Sequence, residues 1–434
     1  MNNYDTSKAI LWLLLSIFSA GSMAFYVAEI WSANQPPHFS DFYAPWWAAH
    51  ELLLHGRNPY SPAVAHEIQA VIYGSPASAS PTDDPSNIAG GFAYPPYAAL
   101  LLWPTVYLSF SDAQKVFLGV SALATLLSLV LWLRALRFHP SPLQGLTIAL
   151  FALGSFPALQ AMKLQNLSVI AAALIAVTLF LLSDNRLVLA GIFLAVSTIK
   201  PQFTIALIPW LALWTMSDWR RRRPLAGSFL ISMLLLVLVS DWLLPGWIRR
   251  FLNVVHAYRQ YTYGHSLLDV WFTPGWGLPV AACFLLAALA LGWRDRSQPA
   301  DSMRFFLVTS LLLAVTLMVI PTLAPHAQLL LLPGFLCLLR GRTLLSGRLN
   351  KLLSAATWAL LAWPWIAAFG LLVAAIRVPV STLLRFWAIP LYTSPLLPMA
   401  VSLALGSFLG TASGMQTSCL SASASASKPY KSDA

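Results

Sequence analysis

Runs of about 20 apolar residues recur along most of this chain, and they set its fold class. Each is long enough to carry a helix across the hydrocarbon core of a bilayer. Backbone groups in lipid must pair within the protein, which leaves helices or a closed barrel. The runs are continuous rather than alternating, so the barrel pattern is not met. Hydrophobic residues make up 58% of the 434 and charged residues 9%, where a soluble domain carries roughly 25% charged. The expectation is an all-α, polytopic transmembrane helix bundle. The net charge of +11 comes from Lys and Arg gathered in short loops. That is a topology signal rather than a nucleic-acid footprint, so membrane lipids are expected as partners and nucleic acid is not. The 18 Trp suit interfacial belts. Cys283, Cys337 and Cys419 offer neither a disulfide framework nor a CxxC metal site.

Candidate spans fall at 9–31, 94–110, 115–133, 143–160, 164–182, 187–199, 201–217, 225–245, 277–293, 304–320, 326–340, 352–376 and 385–410. The first, Ala9–Trp31, is too long for a signal-peptide core and is expected to be retained. Arg220–Arg223, then Arg294, Arg296 and Arg304, then Arg340, Arg342, Arg348 and Lys351, anchor the cytoplasmic side. Loops 32–93 and 246–276 then face outward, with the short turns near 163–166, 200, 321–326 and 377–385. Segment 94–110 contains Pro95, Pro96 and Pro104, which break helices. It is expected to be partial or re-entrant, because a full crossing would put Arg134 outside. The count is about 12 spans, in one domain over 1–410 of a cell inner (plasma) membrane protein. Residues 411–434 are low-complexity and expected to be disordered.

Two stretches of the outer loops read as interfacial helices. Residues 40–55 place Phe42, Tyr43, Trp46, Trp47 and Leu53 on an apolar stripe, with Ser40 or Asp41 as N-cap and Gly56 as the stop. Residues 246–262 set Trp247, Phe251, Val254 and Val255 against Arg250, Asn253 and His256. Between the two, 74–91 is rich in Gly, Ser, Pro and Asp and reads as a flexible insertion.

Asp41 is a lone carboxylate at the head of the first of these helices. It reads either as an N-cap, satisfying free helix N–H groups, or as a general base at the lipid–water boundary. Lys163, Gln165 and Asn166 form one outer turn and Lys200 another. A lysine in a hydrophobic hairpin costs about 2.5–3.5 kcal/mol at a span centre and less near its edge. Each lysine either snorkels to headgroups or converges with the other on a phosphate. Arg57, His256, Arg259 and His326 share that side; a lone histidine such as His326 is more often structural than catalytic. No Gly-rich phosphate loop, HExxH, paired Cys or Ser-His-Asp spacing occurs, and no soluble nucleotide-binding domain. A transferase built this way takes a lipid-linked donor from within the bilayer. No cofactor and no metal is expected.

The series Asp-Phe-Tyr (41–43), His-Gly-Arg-Asn-Pro-Tyr (55–60), Phe-Ala-Tyr-Pro-Pro (92–96), Leu-Gln-Asn (164–166), Ile-Lys-Pro (199–201) and Pro-His (325–326) resembles glycosyltransferase family 87. These are polytopic transferases of the GT-C superfamily that use polyprenyl-phosphate sugars, typically mannose. The resemblance covers roughly residues 10–405. It implies Asp41 as catalytic base and loop 32–93 as catalytic loop, with Lys200 and His326 contacting donor phosphate or acceptor. Tyr60 and Tyr94, within its motifs, join the candidate substrate-binding residues Arg57, Lys163, Gln165, Asn166 and His256. The implied reaction transfers a hexose to an envelope glycan or glycolipid on the outer face. The chain departs from the pattern at Gly264-His265-Ser266-Leu267, where relatives often have Asn-Gln-Ser-Leu. It departs again at Ala327 and Gln328, where they often have a histidine or an acidic residue. Two other readings stand beside it: a transporter or flippase of a lipid-linked sugar, which broken helices would also suit, and an inactive scaffold in an envelope complex.

Overall fold

The computed structural model describes residues 10, 12–21, 24, 40–73, 91–261, 268, 276–320, 324–341, 348–379, 382, 386, 393 and 396–410. Residues 74–90, the Gly264–Leu267 departure and the tail from 411 lie outside them. Every regular element among the described residues is helical. In chain order they are α1 (Trp12–Gly21), α2 (Tyr43–His55), α3 (Pro62–Tyr73), α4 (Tyr97–Leu102), α5 (Phe110–Ala135), α6 (Pro142–Gly154), α7 (Phe156–Leu164), α8 (Ser168–Ser183), α9 (Leu187–Ser197), α10 (Pro201–Thr204), α11 (Leu207–Ser217), α12 (Trp219–Leu243), α13 (Trp247–Tyr261), α14 (Gly277–Asp295), α15 (Met303–Val319), α16 (Leu332–Arg340), α17 (Arg348–Ala374) and α18 (Leu396–Gly410).

Against the expected count of about 12 spans, α5, α12 and α17 are long and apolar enough to cross a membrane, and α6 with α7 makes a fourth if the bent pair is one span. The remaining apolar helices are shorter. The 16 residues of α8 extend about 24 Å, short of a hydrocarbon core of about 30 Å. Proline accounts for several breaks, since its ring displaces the i−4 hydrogen bond. Pro157 sits just past the 48° bend between α6 and α7. Pro209 in α11 needs the Ile205 carbonyl free, and the run read as 201–217 splits there into α10 and α11. Pro333 does the same to 326–340, which opens as a 3-10 turn, Pro325–Leu331, before α16. Segment 94–110 contains only α4 and a 3-10 turn, Trp103–Thr105, in line with a partial helix. Helix starts follow capping rules: Ser109 accepts from Asp112 N, Ser302 from Phe305 N, and Ser141 with Gln144 forms a capping box ahead of Pro142.

The bundle has two chemically distinct ends. At one, the Arg222 guanidinium donates to the carbonyls of Trp214, Arg296, Ser297 and Gln298, tying the α11–α12 turn to the α14–α15 turn. Arg137 pairs with Asp301 at 2.6 Å, bringing the α5–α6 turn to the same end. Two of the basic turns that the sequence assigns to one side, at 220–223 and 294–304, therefore meet, and the turn that carries Arg137 joins them. Helices α5, α8, α9 and α12 pack side by side and run from there to the end that holds Asp41, Asn166 and Lys200. Helices α9 and α12 approach closely at Gly191 of α9, where a Cβ would lie 2.6 Å from the Leu225 carbonyl oxygen and collide with Ser228 of α12. The outer face of α12 exposes Leu230, Ile231, Leu234, Leu235 and Leu238, a surface suited to lipid.

The first outer helix departs from expectation. Helix α2 does not lie with its apolar stripe in the interface. Phe42, Tyr43, Trp46 and Leu52 are buried in the core, Trp47 and Leu53 half-buried. The Phe42 ring stacks on Phe117 of α5 at 4.2 Å. Aromatic area on that scale is worth more against protein than beside headgroups because packing adds to burial. Helix α13 keeps the amphipathic form read from sequence, with Trp247 and Val254 buried and Arg250, Asn253 and His256 exposed. Val255 faces out with Ile248 and Leu252 instead of inward.

Candidate active site

Three segments far apart in sequence converge at the non-basic end. The turn after α7 reverses the chain at Gln165, whose backbone adopts the left-handed conformation (φ 54°) uncommon for a non-glycine residue. It presents the Leu164 carbonyl to the Asp41 N–H at 2.8 Å. Gln165 Oε1 accepts from Ser40 Oγ at 2.7 Å and from Gln114 Nε2 at 3.1 Å. The approach to Asp41 is thus bolted to both α5 and α7.

Asp41 is not the cap of α2. The N-cap position falls on Phe42 with no side-chain cap bond, and Ser40 Oγ accepts from Phe42 N instead. The carboxylate points elsewhere: Asp41 Oδ2 accepts from Asn166 Nδ2 at 2.8 Å. Asn166 Oδ1 in turn accepts from Lys200 Nζ at 2.7 Å, from Ser168 N at 2.9 Å and from Ser168 Oγ at 2.7 Å. Lysine ammonium and backbone N–H can only donate, so the amide orientation is fixed by its partners. Lys200 Nζ also donates to Ser168 Oγ at 2.6 Å. The result is a continuous chain, Asp41–Asn166–Lys200, braced by Ser168 at the head of α8.

Asp41 is exposed, whereas Lys200 is only 6% exposed. Lys200 follows α9, where Pro201 prevents continuation. Its ammonium lies 5.8 Å from the centroid of the Tyr94 ring and 5.2 Å from that of Phe203, favourable faces for a cation. Burial pushes the Lys200 ammonium down to about 7, with the charge of Asp41 acting the other way. The Asp41 carboxyl is raised above the ordinary carboxylate range. Loss of water to surrounding protein is the first cause, and the Asn166 hydrogen bond and Lys200 charge partly offset it. A lysine has three N–H donors, and two are committed here. The third, with the positive charge, remains for an anion.

The other candidates divide. His326 is buried in the 3-10 turn that packs on α7 and α8, near enough for the Lys200 charge to bear on it. Its Nδ1 has no hydrogen-bond partner among the described residues. Lys163 is half-buried at the end of α7 and forms no ion pair among the described residues. Tyr60 is structural in its contacts: its hydroxyl donates to the Tyr94 carbonyl at 2.6 Å and its ring meets Phe92 and Phe251. It holds the 92–96 loop so that Tyr94 lies beside Lys200. Arg57 does not enter the site as a free cation, because Glu51 and Glu67 hold it at 2.5 and 2.6 Å. His256 is exposed on α13. Ser168, Ser40 and Gln114 were not singled out from sequence as site residues. Ser168 alone had a signal, since Asn-Leu-Ser ahead of an apolar run is where a side chain bonds the N–H two residues on.

A mostly apolar cavity of about 360 Å³ lies between α1, α5, α6, α16 and α17. Phe151, Leu329, Leu332, Phe335, Trp358 and Leu361 line it, and it reaches Ser155 and Pro157 at the α6–α7 bend and Gln328, two residues from His326.

The family model for glycosyltransferase family 87 matches residues 92–321, more than half of the chain. Tyr94, Lys163, Gln165, Asn166, Lys200 and His256 fall inside that stretch; Asp41, Arg57, Tyr60 and His326 fall outside. No curated protein and no solved structure matches the chain. With an all-helical membrane architecture and the Asn166–Lys200 cluster inside the matched residues, the chain belongs to glycosyltransferase family 87.

Proposed function

We propose that this glycosyltransferase moves a hexose, with mannose the first candidate, from a polyprenyl-phosphate donor to an envelope glycan or glycolipid. The reaction takes place on the outer face of the inner membrane, in a bundle of about 12 spans and re-entrant segments. The single observation that carries this reading is the Asp41–Asn166–Lys200 chain. It separates an accessible base from a buried cation by one amide, which suits a sugar held between acceptor and phosphate. Asp41 removes the proton from the acceptor hydroxyl as its oxygen bonds to the anomeric carbon. The bond from that carbon to the phosphate oxygen breaks, and polyprenyl phosphate leaves with the electron pair. The free N–H of Lys200 stabilises the phosphate charge as it grows, where low dielectric makes the interaction strong. His326 is the second candidate contact to phosphate or acceptor, and Lys163 a peripheral one. The apolar cavity that reaches Gln328 supports a lipid-borne donor, since it offers a hydrocarbon chain an apolar place at the 3-10 turn that carries His326. The gathering of basic turns at the opposite end supports an outward-facing site.

The test is a purified full-length sample in detergent, given polyprenyl-phosphate mannose and other polyprenyl-phosphate hexoses with a panel of envelope glycolipid acceptors. Release of polyprenyl phosphate together with a glycosylated product is the expected result. Detergent removes sidedness, so a transporter or flippase would give no product, and complete inactivity across the panel would overturn the proposal.

A further inference from the structure

A second polar cluster lies at the other end of α2, apart from the residues given a part in the proposed transfer. His50, Glu51 and His55 each offer one ligand atom, and these atoms all lie within 4.8 Å of one another. Glu51 Oε1 is 3.1 Å from His50 Nδ1 and 4.0 Å from His55 Nε2. A tetrahedral zinc ion with bonds of about 2.0–2.1 Å spaces its ligand atoms about 3.3 Å apart, so only the His55 side has to close. That side chain is 54% exposed, whereas Glu51 is 4% and His50 22% exposed.

The surroundings have the form of a supported metal site. The second Glu51 oxygen accepts from Arg57 at 2.5 Å, which aims the first oxygen at the two imidazoles. Arg57 is balanced by Glu67, and Glu67 also accepts from Trp47 Nε1 at 3.0 Å. The His50 ring stacks on Trp47 at 5.1 Å and 7°, which holds its orientation. With both imidazoles neutral, as ligands must be, Glu51 and Glu67 outweigh Arg57 by one negative charge, favourable for a divalent cation. The sequence pattern His-Glu-Leu-Leu-Leu-His does not announce this. Five residues put the two histidines about 140° apart round a helix, yet the ring centroids are 5.1 Å apart because His55 ends the helix.

We infer that His50, Glu51 and His55 form a site for one zinc-like divalent ion, with water in the fourth position, at the end of α2 beside the Arg57–Glu67 ion pair. The experiment uses untagged full-length protein in detergent, stripped with a chelator and titrated with zinc. Cobalt serves as a spectroscopic substitute. The expected result is one bound zinc per chain, visible cobalt bands of tetrahedral intensity, and at least tenfold weaker binding in His50→Ala and in His55→Asn. His55 is exposed, so His55→Asn decides the matter if His50→Ala fails to fold. No stoichiometric zinc on the wild-type protein, or undiminished affinity in His55→Asn, would overturn the proposal.

Discussion

Asp41→Asn isolates the proposed base from everything else it does structurally. The side chain keeps its shape, and its amide oxygen can still accept from Asn166 Nδ2, so the 2.8 Å link to the Lys200 cluster survives. The backbone bond from residue 41 to the Leu164 carbonyl is untouched. Because Asp41 makes no cap bond to α2, the helix loses nothing. What disappears is the ability to take a proton. General-base assistance contributes about 10²–10⁴-fold, equivalent to about 2.7–5.4 kcal/mol of barrier. The assay is release of polyprenyl phosphate by purified protein under saturating donor. A thermal melt is run alongside, to show that the midpoint stays within about 3 °C of wild type. A fall of at least 100-fold in kcat with an unshifted melt is the expected result. Transfer within tenfold of wild type would refute Asp41 as the base, whatever the family assignment.

Four further outcomes follow from the geometry. The base must be ionised and the cation charged, so activity should fall as pH drops through the raised Asp41 value and again as pH rises past about 7, where Lys200 loses its proton. Lys200→Met should lower kcat/KM by about 10- to 150-fold, the worth of one charge-assisted hydrogen bond; in Lys200→Arg, whose guanidinium stays protonated, any residual activity should lose the alkaline limb. A Lys200→Arg profile with the same alkaline limb would remove Lys200 from the argument. Gly191→Ala should destabilise the α9–α12 contact by about 1–3 kcal/mol, because the added Cβ meets the Leu225 carbonyl oxygen at 2.6 Å; a lowered melting midpoint in detergent reads this out. Tyr60→Phe should cost about 0.5–1.5 kcal/mol of stability through its bond to the Tyr94 carbonyl, with kcat/KM falling by less than in Lys200→Met.

Much of the site was legible because its members are chemically out of place. A carboxylate, an asparagine and a lysine between apolar runs each demand a reason, and the motifs around them have a family pattern. The cap reading of Asp41 was equally reasonable from sequence. It failed because Ser40 was bonded to Gln165 and because Asn166, 125 residues away, reached the carboxylate first. Arg57 reads as a substrate contact for the same reason that Lys200 does, a cation on the outer side. Only the fold shows that two glutamates already occupy it. The aromatic stripe of α2 was visible, but not the partner it would bury against.

Composition and the length of the apolar runs determined by themselves that this chain is a helical membrane protein, since lipid leaves the backbone few other ways to pair its polar groups. The proline positions and basic turns set where helices break and which ends meet. Which polar side chain bonds which was decided only by the tertiary structure. Hydrogen bonds act over about 3 Å, and no periodicity in a sequence carries a distance between a turn at residue 41, one at 166 and one at 200. The chemistry proposed for the candidate site rests on those distances.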